Sequence, residues 1–156
     1  MKQWFVVGSV VIASAASLSG QSTFGRWSAS ELDARGRALS THVAADHSSR
    51  ETLADYGDHR FRLLYRDADG LPEQHDQIID VVFVQSGEGS LQLGGTMVGK
   101  RQGSGAGEYL GDRLEGGERH PLGAGDVIHI PSGIPHSFLV APGKHITYVL
   151  VKFPAR

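Results

Sequence analysis

Glycine is concentrated in one part of this chain and limits what that part can fold into. Fifteen of the 21 glycines lie between Gly87 and Gly143, in a chain of 156 residues. Glycine favours turns and weakens helices, so the region predicts short elements joined by tight turns. From residue 59 onward the apolar residues form short runs separated by Gly and Pro. The sequence therefore predicts an all-β sandwich or barrel.

The apolar runs in this region define six predicted strands. They cover residues 61–65, 80–84, 90–93, 127–130, 137–140 and 146–153. No internal repeat is present, and the composition, 40% hydrophobic and 21% charged, is typical of one globular domain. We therefore expect a single β domain, a sandwich or a barrel, rather than a repeat protein or a disordered chain.

The first twenty residues have the layout of a secretory signal peptide. Lys2 precedes a mainly apolar run over residues 4–18, and small residues follow at Ser19 and Gly20. The run is shorter than the about 20 apolar residues that span a bilayer, so we expect no stable membrane anchor. An uncleaved anchor and a buried helix are the alternatives. The prediction is a signal peptide over 1–20 and an exported protein, periplasmic or extracellular.

A short helix is predicted soon after this segment. Ser28 and Glu31 have the Ser-x-x-Glu spacing of a capping box, and apolar residues follow at helical intervals. The pattern predicts a helix from about 29 to 42. We therefore expect an N-terminal segment with this helix over 21–58 and the barrel over 59–156.

Charge and cysteine content exclude several classes of function. Fifteen Lys and Arg against 17 Asp and Glu give a net charge of −2, and the basic residues are scattered, so a nucleic-acid partner is not expected. The chain has no cysteine, which excludes disulfides, thiolate zinc sites and Fe–S clusters. A metal would need His, Asp and Glu ligands.

Two stretches have the residue spacing of a known family. Residues 125–136 read Gly-x5-Pro-x-Gly-x2-His, which resembles the second signature motif of the cupin superfamily. Upstream, Glu73, His75, Asp80 and Gly87 have the spacing of the other cupin motif, His-x-His-x4-Glu-x6-Gly. In that motif Glu73 replaces the first His and Asp80 replaces the Glu. The two motifs occur in the family's order.

The resemblance implies a double-stranded β-helix, or jelly-roll, barrel with a divalent metal at its mouth. Both motifs would lie on facing strands, and His75, Asp80 and His136 match positions of metal ligands. Glu73 departs from the family's histidine, and Val140 stands where the second motif often ends in Asn. The implied cofactor is one divalent transition metal.

The same residues can be interpreted without the family. Imidazole and carboxylate together suit Fe, Mn, Zn, Ni or Cu, and two His with one carboxylate form the facial triad of non-haem iron oxygenases. His75, Asp80 and His136 could supply that set, with Glu73 either a fourth ligand or a catalytic base. The alternative is that both histidines are ordinary loop residues. His129, in a predicted strand, is a further candidate for the pocket.

Two functions are compatible with this pattern. The first is a metal-dependent enzyme, a dioxygenase, isomerase or decarboxylase, acting on a small organic molecule. The second is a non-catalytic module that binds or senses a small molecule. The sequence does not indicate the substrate, and a homodimer is left open.

Overall fold

The computed structural model describes residues 24–156, so the predicted signal peptide over 1–20 lies outside the described residues. One helix and twelve strands follow one another in the part described. They are α1 Ala29–Leu39, β1 Ser48–Asp55, β2 Arg60–Arg66, β3 Glu73–His75, β4 Ile78–Leu93, β5 Thr96–Val98, β6 Arg101–Gln102, β7 Glu108–Leu110, β8 Arg113–Glu115, β9 Glu118–Gly123, β10 Val127–Ile130, β11 His136–Leu139 and β12 Ile146–Pro154. Within this range no helix is both long enough and apolar enough to cross a membrane.

The helix begins where the capping box predicts. Ser28 Oγ accepts a hydrogen bond from the backbone N–H of Glu31, and Ser28 has extended backbone angles. The helix ends at Leu39 rather than at residue 42, because the Thr41 hydroxyl donates to a carbonyl of the last turn. Such local side-chain bonds compete with helix continuation.

Two antiparallel sheets share strand β4 and form the barrel. The first half of β4 pairs with β10 and β12, and the sheet continues through β2 to β1. The second half pairs with β9 and β11, and that sheet continues through β3 and β7 to β6. Strand β1 lies within the N-terminal segment 21–58, before the first predicted strand. The predicted all-β jelly-roll class is confirmed.

Strand β4 corrects one detail of the predicted strands. The two strands predicted over 80–84 and 90–93 are parts of a single strand that runs from 78 to 93. Gly87 has a φ of +76°, and a Cβ there would lie 2.0 Å from the carbonyl oxygen of His145. The glycine therefore permits a sharp bend and a close strand contact, and β4 passes from one sheet to the other.

Two apolar clusters lie on opposite faces of the sheet that contains β2 and β12. The buried residues of the barrel interior are Leu64, Val82, Val84, Leu91, Leu122, Ile130, Phe138, Val140, Ile146, Tyr148 and Leu150. Those between the sheet and α1 are Leu32, Leu63, Val149 and Val151. Along β12, Tyr148 and Leu150 face the interior, and the next interior position is Lys152. The apolar part of the barrel interior therefore ends at Lys152.

Candidate metal centre

Four acidic and histidine side chains meet beside Lys152. Glu73 and His75 lie on β3, Asp80 near the start of β4, and His136 at the start of β11. Strand β11 lies between β3 and β4, where His136 pairs with Glu73 on one side and with Leu93 on the other. Neighbouring strands therefore bring together residues that are far apart in the sequence.

The four side chains could surround a single ion. Each offers one nitrogen or oxygen atom, and these four atoms lie within 4.8 Å of one another. His75 Nε2 lies 3.3 Å from a Glu73 oxygen and 3.5 Å from an Asp80 oxygen, and His136 Nε2 lies 3.6 Å from each carboxylate. Three of the residues are buried, whereas the Glu73 side chain is 31% exposed. Glu73 therefore lies on the solvent side of the cluster.

His136 is oriented as a metal ligand would be. Its Nδ1 lies 3.0 Å from the carbonyl oxygen of Ile134, to which an Nδ1–H donates. Its Nε2 is buried and has no hydrogen-bond partner within the described chain. A backbone bond at one ring nitrogen commonly fixes the other toward a metal. The unpartnered Nε2 and the mixed donor set fit a borderline divalent metal.

A lysine ammonium also contacts this cluster. Lys152 Nζ lies 3.0 Å from both oxygens of Asp80 and 2.7 Å from His75 Nε2. Lys152 is directly opposite Asp80 in the pairing of β12 with β4, so both side chains share the interior face. The ammonium neutralises a carboxylate that is only 1% exposed.

The buried charges shift one another's protonation. Burial alone would lower the pKa of the His136 imidazole, but the Asp80 and Glu73 carboxylates outweigh burial and raise that pKa to about 9. Burial would raise the pKa of the Asp80 carboxyl, but the two imidazoles and Lys152 hold it well below its usual range. The same cations lower the pKa of Glu73 well below its usual range against the effect of burial. Both carboxylates are therefore ionised at neutral pH.

His75 is subject to opposing effects. Burial lowers its pKa, but the Asp80 and Glu73 carboxylates raise it to about 9 even against the nearby Lys152 charge. Lys152 Nζ lies 2.7 Å from His75 Nε2, and this contact holds a single proton, so one of the two nitrogens donates it and the other accepts it.

All four residues singled out from the sequence are brought together in this site. That His75, Asp80 and His136 bind a metal, and that Glu73 acts as a base, stays a prediction. His129 instead has an exposed side chain and pairs with Val81 on the outward face, away from the cluster.

Sequence reasoning missed two neighbours of the site. Glu108 places a carboxylate oxygen 3.8 Å from His75 Nδ1, and no motif marks it because β7 is a short strand in a glycine-rich region. For Lys152, the signal in the sequence is a charged residue within an otherwise apolar predicted strand. That signal can be interpreted only once the inward face of the strand is known.

Known structures with the same strand arrangement identify the fold. A predicted oxalate decarboxylase from Thermotoga maritima matches with a TM-score of 0.51 and 16% identity, over 69% of this chain and 80% of that one. The Streptomyces nucleoside dehydratase Pac13, in a variant structure with uridine, matches with a TM-score of 0.51 and 14% identity, over 72% and 74%. A cupin-2 domain from Rhodospirillum rubrum matches with a TM-score of 0.51 and 14% identity, over 69% and 60%. The fold is that of the cupin superfamily.

The cupin fold confirms the resemblance that the two motifs predicted. No protein-family model and no curated protein matches the sequence. At these levels of identity, the structural matches establish the fold of this chain and leave its chemistry to be argued from its own residues.

The pKa shifts predict how stability depends on pH. His136 has a folded-state pKa raised to about 9, so its stabilising contribution is complete below its ordinary value near 6.5 and is lost as pH rises through about 9. The contribution of Asp80, whose pKa is lowered, is lost only in acid, below about pH 4. We expect the melting temperature of chelator-treated protein to fall between pH 6.5 and pH 9.

Zinc provides the matched comparison for this pH dependence. A metal binds deprotonated imidazole, so saturating Zn(II) should abolish or reverse the fall over the same pH range. Thermal melts at several pH values, with chelator and with Zn(II), measure both trends. Parallel profiles in the two conditions would contradict metal binding at His136.

Proposed function

We propose that this cupin is a metal-dependent enzyme that acts on a small organic molecule at the mouth of its barrel. The observation that carries the proposal is the convergence of four donor atoms within 4.8 Å, three of them on buried residues and the fourth on the partly exposed Glu73. Such a buried set with one solvent-facing member suits a site that holds an ion and admits a reactant.

In this proposal His75, Asp80 and His136 hold the metal. Two imidazoles and one carboxylate are the ligand set of the facial triad and suit Fe, Mn, Zn, Ni or Cu. When bound, the metal supplies Lewis-acid or redox chemistry for a dioxygenase, isomerase or decarboxylase reaction. The Ile134 carbonyl keeps the His136 ring in its orientation, so this one ligand is oriented before metal binds.

Glu73 takes the role of proton acceptor. Its carboxylate is ionised at neutral pH and so is in the state that can accept a proton, and its partly exposed side chain faces the side from which a reactant would enter. A carboxylate in hydrogen-bond reach of a substrate proton can accept that proton as a general base. Glu108, also partly exposed and close to His75, adds negative charge to the same side of the mouth.

Arg62 indicates the chemical class of the substrate. It is opposite Leu150 in the β2–β12 pairing, so it shares the interior face. Along β2 it lies two residues from the position that pairs with Lys152, which in turn pairs with Asp80. Burial and the charges of Arg60 and Arg50 lower the pKa of its guanidinium. Among residues 24–156 no carboxylate forms an ion pair with it. A half-buried, unpaired guanidinium favours a small anion such as an organic acid.

The activities of two structural neighbours agree with a small-molecule reaction. One is a nucleoside dehydratase and the other a predicted oxalate decarboxylase. These activities belong to those proteins, and they support for this chain only the general class of small-molecule chemistry.

A non-catalytic binding or sensor module is the second candidate. It is favoured by the distances around His136, because Glu73 lies as close to Nε2 as Asp80 does, at 3.6 Å. A Glu73 that binds the ion together with the other three residues would close the coordination sphere and leave no position for a reactant.

We also propose that the chain is exported and cleaved after its apolar segment. The order of charged, apolar and small residues over 1–20 supports this. Intact mass of protein from a periplasmic or secreted fraction is expected to show a start between residues 16 and 22. Retention of Met1 in that fraction would contradict cleavage.

Elemental analysis followed by a reactant screen tests the enzyme proposal. Protein purified without a metal-affinity tag is expected to contain about one transition metal per chain. The Fe(II)-loaded protein is then screened for O₂ consumption, and the Zn(II)- and Mn(II)-loaded protein for isomerisation or CO₂ release, with small organic acids, phenols and sugars. Stoichiometric metal with turnover supports an enzyme, whereas metal without turnover across all three screens favours the binding module.

A further inference from the structure

Lys152 uses the same atoms that the proposed metal site needs. Its Nζ contacts both oxygens of Asp80 and Nε2 of His75, which are two of the three proposed ligands. Metal–ligand distances of about 2.0–2.2 Å would put a dication between these same atoms. Two cations at such a short separation in a buried site repel strongly, so ammonium and metal cannot be held there together.

The side chain has room to leave. Lys152 is 22% exposed, whereas Asp80 is 1% exposed, so the ammonium lies on the solvent side of the carboxylate that it neutralises. A lysine stem is long and flexible, and its charged end readily reaches water while the stem stays on apolar surface. Lys152 is also the last interior position before the exposed end of β12.

We propose that Lys152 is an internal cation that competes with the metal for Asp80 and His75 and turns outward when a dication binds. This inference rests on the proposed metal site. Without metal, the ammonium keeps the buried Asp80 carboxylate neutralised. Displacing it costs the same free energy for every dication, so each ion binds more weakly than the same donors would otherwise allow. At low metal concentration only an ion of high intrinsic affinity, such as Zn(II), therefore displaces the ammonium.

Affinity for Zn(II) in a lysine variant provides the first test. Lys152→Met keeps the length of the stem and removes the charge, and we expect it to bind Zn(II) at least about tenfold more tightly than wild type. Lys144→Met is the matched control, because Lys144 pairs with Glu88 on the exposed surface and its loss removes the same charge elsewhere. The control should bind like wild type in a chelator-competition titration.

Lysine labelling of the wild type provides a second test that does not depend on whether the variant folds. An amine-specific reagent followed by peptide mass spectrometry measures the reactivity of individual lysines with and without Zn(II). We expect the labelling of Lys152 to rise several-fold with Zn(II), while Lys100 and Lys144 stay constant as internal references.

The outcomes separate this inference from the proposed site. Equal or weaker Zn(II) binding by Lys152→Met, or Lys152 labelling that zinc leaves unchanged or lowers, would overturn the competition while leaving the metal site in place. If neither wild type nor Lys152→Met binds zinc, the metal site and the inference fail together. Tighter binding by the variant with increased labelling in the wild type supports both.

Discussion

Replacing His136 by alanine is expected to lower Zn(II) affinity by about 100-fold or more, because it removes one of the three proposed ligands and one of only two imidazoles in the cluster. The His136 side chain is 1% exposed, and its Nε2 faces both carboxylates. The barrel should survive, since the apolar interior cluster does not include His136. Metal content after desalting and the far-ultraviolet circular dichroism spectrum measure the two effects.

His129→Ala is the matched control for that substitution. It removes an imidazole from β10, where the side chain is exposed and faces away from the cluster. We expect this variant to keep the metal content of the wild type. Equal metal content in His136→Ala and wild type would show that the ligand assignment is wrong.

The second large effect concerns Glu73→Gln, which decides between the two candidate functions. We expect metal affinity to fall far less than in His136→Ala, because three ligands remain, and we expect turnover to be abolished, because a neutral amide cannot accept a proton. If Glu73 instead closes the coordination sphere, the same change lowers metal affinity markedly, since an amide is a poorer ligand for a dication. Chelator competition and turnover of any substrate found in the screen measure the two effects.

Glu108→Gln controls for charge near the site. Glu108 is partly exposed like Glu73 and lies 3.8 Å from His75 Nδ1, but it is not one of the four converging residues. We expect the effects of Glu108→Gln on metal affinity and on turnover to be smaller than the loss of turnover in Glu73→Gln. A large loss of metal in Glu73→Gln, with little change in Glu108→Gln, would count against the catalytic role and for the binding module.

Local patterns predicted the fold class and the four converging residues. The capping box located the start of α1, and the alternation of apolar residues located β10 and β12. The resemblance of two motifs to the cupin signatures singled out Glu73, His75, Asp80 and His136, which the structure brings together. These features depend on residues that lie close together in the sequence, so they can be recognised from one sequence alone.

Features that depend on contacts between distant segments could not be predicted in the same way. The continuity of β4 through Gly87 was not predicted, because the bend at this glycine depends on the close approach of His145. The contact of Lys152 with Asp80 depends on the register between β12 and β4, and no local pattern sets that register. Glu108 reaches the site only through the pairing of β7 with β3.

Anomalous diffraction from crystals grown with Zn(II) tests metal binding at this site most directly. We predict one strong anomalous peak within about 2.0–2.2 Å of His75 Nε2, a carboxylate oxygen of Asp80 and His136 Nε2, with the Lys152 ammonium turned away from Asp80. A crystal in which Lys152 still contacts Asp80, with zinc absent from these three residues or bound elsewhere, would contradict the assignment of this cluster as a metal centre.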